Sequence, residues 1–144
     1  MLNGEIMIFT DSLSRGGTER HLAMVAPKLT SQGFLLSIFL LKGGGPLAQD
    51  ILDGGVQIRY PWRELPKGAG LITKLICLVS ISVQIFLLLL KRRPRAVHCF
   101  LPTGTIIVGS LAWMLGVKSR IMSRRSLNNY AKNLPKFIRT SNIM

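Results

Sequence analysis

With 144 residues, 48% of them apolar, the chain is long enough for one buried core and too apolar to stay disordered. Its formal net charge of +13 is unevenly placed: six acids share the first 64 residues with six bases, and the remainder carries thirteen Lys and Arg and no acid. Carboxylate catalysis is thereby excluded from the second half. The imbalance points to an anionic partner, whether a lipid headgroup, a nucleotide diphosphate or a nucleic acid.

From the N-terminus, Glu5 to Phe9 is a short apolar run that ends in Thr10, Asp11 and Ser12, the pattern of a strand entering a loop. Gly16 and Gly17 follow, with Thr18 expected as the N-cap of a helix and Glu19 in its first turn. Leu22, Val25, Ala26 and Leu29 keep helical spacing, and Gly33 is placed to end the segment. Pro27 lies inside that helix, where loss of a backbone hydrogen bond costs about 3 kcal/mol.

Phe34 to Leu41 is almost continuously apolar, as in a strand covered on both faces. Gly43, Gly44, Gly45 and Pro46 break it, and a short helix over Leu47 to Leu52 and a third strand over Val56 to Tyr60 are expected next. Pro61 to Gly70 reads as loop. Leu71 to Leu90 is long and apolar, stopped by Lys91, Arg92, Arg93 and Pro94. A fourth strand (Ala96 to Leu101), a helix (Thr103 to Leu115) and a fifth strand (Ser119 to Ser123) complete the alternation. Residues 126–144 are expected to form an irregular tail with a turn of helix after Pro135. The order predicts an α/β, Rossmann-like doubly wound parallel sheet of about five strands, with helices on both faces, in a single domain over 1–144.

The 71–90 segment has the length of a membrane span, about 30 Å as a helix. Lys74, Ser80, Ser82 and Gln84 oppose a lipid-facing span, and the strands on either side need one another in one sheet. A buried helix with an interfacial edge is therefore expected. Lys91, Arg92 and Arg93 after it suit either an anionic membrane surface or a solvated helix end complementing the dipole. The alternative is a small non-catalytic membrane-associated protein anchored by 71–90.

Three places are candidates for chemistry. Gly16 and Gly17 lie between a strand and a helix, where amides at the helix N-terminus face the crevice. The pair equally suits a tight turn needing positive φ. His98 lies near the C-terminal end of the fourth strand, positioned as acid, base or phosphate donor, or as a strand histidine satisfied by backbone. It neighbours Cys99 but should point to the opposite face, so the two cannot share a metal, and no metal site emerges. His21 is expected to face solvent. Arg124 and Arg125 follow the fifth strand and suit a phosphate, or serve solubility alone. The basic residues Lys118, Arg120, Lys132, Lys136 and Arg139 lack interleaved aromatics beyond Tyr130 and Phe137, so no nucleic acid is expected. Cys77 and Cys99, both in apolar runs, read as reduced buried thiols of a cytoplasmic protein. No signal peptide is evident at Met1 to Thr10.

Three stretches taken together resemble the N-terminal domain of glycosyltransferase family 4. They are Gly16-Gly17-Thr18-Glu19-Arg20-His21-Leu22, Arg93-Pro94-Arg95-Ala96-Val97-His98, and Ser123-Arg124-Arg125-Ser126-Leu127-Asn128-Asn129-Tyr130. The resemblance implies one half of a GT-B fold and sugar transfer from a nucleotide-diphosphate donor to a saccharide or lipid-linked acceptor, without a cofactor or metal. It implies that Gly16 and Gly17, with Thr18 and Arg20, face the donor diphosphate, that His98 lines the acceptor side, and that Arg124 or Arg125 edges the cleft. Arg95 replaces the family's aspartate, and Phe100 stands where many relatives carry a second histidine with an inferred catalytic role. No Glu-x7-Glu donor motif is present. The expectation is therefore a truncated or split chain, inactive alone, whose C-terminal domain lies elsewhere, acting in the cytoplasm or peripherally at the inner face of the plasma membrane.

Overall fold

The computed structural model describes residues 4–63, 68, 70–100 and 102–123. Five strands and four helices alternate: β1 (Ile6–Thr10), α1 (Gly17–Ser31), β2 (Leu36–Leu40), α2 (Ala48–Asp53), β3 (Gln57–Arg59), α3 (Leu71–Arg92), β4 (Ala96–Cys99), α4 (Pro102–Met114) and β5 (Ser119–Met122). All strand pairs are parallel, in the order β3-β2-β1-β4-β5. The expected alternation is thus observed as a Rossmann-like sheet. Arg124, Arg125 and the expected tail at 126–144 lie outside the described residues.

Strand periodicity divides the core into two layers. Ile8, Leu36, Ile38 and Leu40 face α1 and α2, packing with Leu22, Ala26 and Ile51. Met7, Phe9, Phe39, Val97 and Cys99 face α3 and α4, packing with Ile81, Ile85, Leu89, Val108 and Ala112. Every residue of β2 is buried, as its unbroken apolar run predicts.

Helix α1 continues past Pro27, whose ring packs so tightly on Gly54 that a Cβ there would overlap it. The proline thus fits this position because α2 ends on a residue with no side chain.

Helix α3 differs from expectation in its burial. Cys77, Ile81, Gln84, Ile85 and Leu89 are buried, but most of its other apolar side chains are exposed. It is long and apolar enough to cross a bilayer. Yet its buried stripe is seated on the sheet, and the strands before and after it stand in that same sheet. Crossing a bilayer would require tearing β3 from β4's sheet, so α3 lies along the fold.

Candidate functional site

The strand order reverses direction between β1 and β4: the chain leaves β1 toward β2 on one side and returns to β4 on the other. Loops leaving the C-terminal ends of these neighbours diverge and open a crevice, the usual ligand position in such sheets. The Gly16-Gly17 loop follows β1, and His98 lies one residue before the end of the adjacent β4.

The loop over residues 11–16 is held from below and from the side. Leu13 is fully buried in the α1 layer. Lys42 Nζ forms an ion pair with Asp11 Oδ2 at 2.6 Å, and the Lys42 amide donates to the Asp11 carbonyl at 2.7 Å. Gly45 presses against the Leu13 backbone, where any Cβ would overlap the Leu13 carbonyl. Two loops from neighbouring strands are therefore interlocked through backbone.

Helix α1 begins at Gly17 with Gly16 as the N-cap, which corrects the expectation that Thr18 caps it. No side chain of the cap residue closes this end; the Arg20 amide donates to the Gly16 carbonyl at 3.0 Å. The amides of Gly17, Thr18 and Glu19 thus remain as donors carrying the positive end of the helix dipole. Gly16 is extended at φ −79°, and Gly17 is not among the positive-φ residues, so neither glycine serves a left-handed turn. Space beside Gly17 is open to 4 Å, while the Glu19 carboxylate folds back over Gly16. Thr18 is half-buried one turn before Leu22, and Arg20, two residues further along the first turn, is exposed. His21 is exposed as expected.

His98 pairs in register with Ile8 of β1 and Ile121 of β5, which puts it on the α1 side of the sheet. Its Nε2 lies 2.7 Å from Ser123 Oγ, and its ring meets that of Phe100 with centroids 4.2 Å apart. Cys99 points into the other layer, as the alternation requires. Burial pushes its thiol from 9.0 up to about 12, so it is not a nucleophile at neutral pH. Both cysteines are reduced and buried. Among the described residues no group of three His, Cys, Asp or Glu could hold a metal.

Sequence patterns do not reveal Ser123 as the partner of His98, because that depends on the β4–β5 register. The Phe100 ring is likewise visible only as a departure from a motif. Leu13 carries the one available signal, a lone large apolar residue in a polar loop.

Neither a protein family nor a curated protein matches the chain by sequence. Solved structures do match by fold. A glycosyltransferase from Rickettsia africae superposes with TM-score 0.60 at 12% identity, over 92% of this chain and 34% of that one. MurG from Acinetobacter baumannii gives 0.57 at 19%, over 82% and 34%. The C-terminal domain of the PF1911 hydrogenase from Pyrococcus furiosus gives 0.59 at 12%, over 83% and 91%. The chain has the fold of one Rossmann-like half of the GT-B glycosyltransferases and spans about a third of their length.

Proposed function

Starting from that half-domain fold, we propose that the chain is the acceptor-side half of a glycosyltransferase that uses a nucleotide-diphosphate sugar, completed by a donor-binding domain. The observation that carries this is the uncapped N-terminus of α1 at the β1/β4 crevice, beside a histidine on the neighbouring strand. Transfer from a nucleotide-diphosphate sugar leaves a diphosphate with growing negative charge. Fixed amide donors at the end of a helix stabilise such charge without reorganisation. Gly17 supplies the clearance for that approach, and Thr18 adds a hydroxyl on the crevice side. His98, held by Ser123 and Phe100, orients an acceptor hydroxyl. Arg124 and Arg125, next in sequence after Ser123, are assigned to the cleft edge by the family resemblance alone.

Titrating the labelled chain with UDP and, separately, with inorganic pyrophosphate tests the assignment by amide NMR. Shifts concentrated at Gly16, Gly17 and Thr18 at millimolar ligand are expected. Shifts spread over the surface lysines, with none in this loop, would remove the diphosphate role.

A further inference from the structure

On the far side of the sheet, a cavity of about 480 Å³ opens between the β3 edge and the C-terminal half of α3. Arg59, Lys91 and Arg92 line it together with Tyr60, Trp62 and Leu87. Arg59 shares the face of Phe39, its register partner, so it reaches under α3, while Lys91 and Arg92 close the cavity from the last turn of α3. Arg59 donates to Gln57 Oε1 at 3.0 Å, and its Nε is buried with no partner among the described residues. No carboxylate lines the cavity among the described residues. Three cations drawn from two elements thus converge on one space.

The wall carrying Trp62 is fixed. Gln84, the one buried polar side chain of α3, accepts from the Trp62 amide at 2.8 Å and donates to the Tyr60 carbonyl at 3.0 Å. Trp62 itself is 66% exposed at the rim.

Beside the cavity, the helical period lines up Ile72, Ile76, Val79, Val83, Leu87 and Leu90 on α3, opposite its buried stripe, and all six are exposed. This line is about 27 Å long. Its last members flank the cavity, and Leu87 belongs to both. In the same layer α4 exposes Ile106 and Trp113.

We infer that the cavity binds the phosphate of an anionic lipid headgroup, with the exposed line of α3 lying in the membrane interface. This rests on separate observations from those behind the transferase assignment. Charge decides the occupant: an apolar strip ending in a pocket of three cations complements a molecule that is apolar along its length and anionic at its head. A partner protein helix would satisfy the strip and leave the cations facing nothing. Trp62, exposed at the cavity rim, fits the polar–apolar boundary of a bilayer.

The test compares co-sedimentation of the full chain with phosphatidylcholine vesicles and with vesicles containing phosphatidylglycerol, at physiological salt. Arg59→Gln/Lys91→Gln should weaken binding to the anionic vesicles about 10- to 30-fold. Arg15→Gln/Lys28→Gln, which removes equal charge elsewhere, should leave at least half of it. Circular dichroism melts confirm that both variants fold. Equal losses in the two variants would overturn the pocket in favour of diffuse attraction. Trp113→Phe leaves Trp62 as sole reporter, and its emission should shift to the blue on anionic vesicles. The same shift with millimolar glycerol 3-phosphate and none with vesicles would overturn the lipid as the source of the phosphate.

Discussion

Gln84 receives the backbone amide of Trp62 at 2.8 Å and returns a hydrogen bond to the Tyr60 carbonyl at 3.0 Å. A side chain halfway along an apolar helix thereby stands in for the ladder partner that the chain loses as it leaves β3. Replacing it by leucine keeps the volume and strands both backbone groups. Gln84→Leu should lower unfolding free energy by about 1–3 kcal/mol in urea titrations.

Gly45 and Gly17 answer opposite demands. A methyl at Gly45 overlaps the Leu13 carbonyl, and a methyl at Gly17 meets nothing within 4 Å. Gly45→Ala should cost about 1–3 kcal/mol, and Gly17→Ala should leave the melting temperature unchanged or slightly raised. In a two-domain version carrying a donor-binding half, Gly17→Val should abolish transfer while folding is retained.

Cys99 should be silent to thiol reagent in the native protein at pH 8 and react once the chain is unfolded in denaturant. With its folded pKa near 12 and an ordinary value of 9.0, the unfolded state releases this proton first as pH rises. Its contribution to stability is therefore intact below pH 9 and declines between about 9 and 12. Cys99→Ala should flatten that part of the stability–pH curve.

The two sides of α3 should differ in energetic weight. Ile85 is fully buried and Val83 is 47% exposed. Ile85→Ala should cost about 2–5 kcal/mol, against about 0.5 kcal/mol or less for Val83→Ala.

Elements were readable where burial is two-sided or periodic. The run at 34–41 marks a central strand because both of its faces are covered, and it became the five buried residues of β2. The orientation of α3 was hidden, since a helix apolar on every side offers no contrast between faces. Lys74, Ser80, Ser82 and Gln84 interrupt the pattern without sharing one face, and the buried Gln84 marks the sheet-facing side rather than the water. At the site, the Gly16-Gly17 placement after β1 was legible from strand, loop and helix order. The cap was not: a hydroxyl at position 18 invites the N-cap assignment, but the cap falls two residues earlier, at Gly16, without a side-chain acceptor. The link from His98 to Ser123 depends on how two strands slide past one another. The Arg59–Lys91 convergence joins residues 32 positions apart that no local pattern connects.

The placement of β1 between β2 and β4 also sets a timetable for synthesis. One flank of β1 is satisfied early, but the other waits until residue 99 has left the ribosome. At about 5–20 residues per second, that leaves the central strand half-paired for several seconds. The 22 residues of α3 emerge within this interval, ahead of the strand that locks them against the sheet. During translation the nascent chain therefore displays a span-length apolar helix beside a sheet that still lacks β4 and β5, open to chaperones and membrane-targeting factors alike.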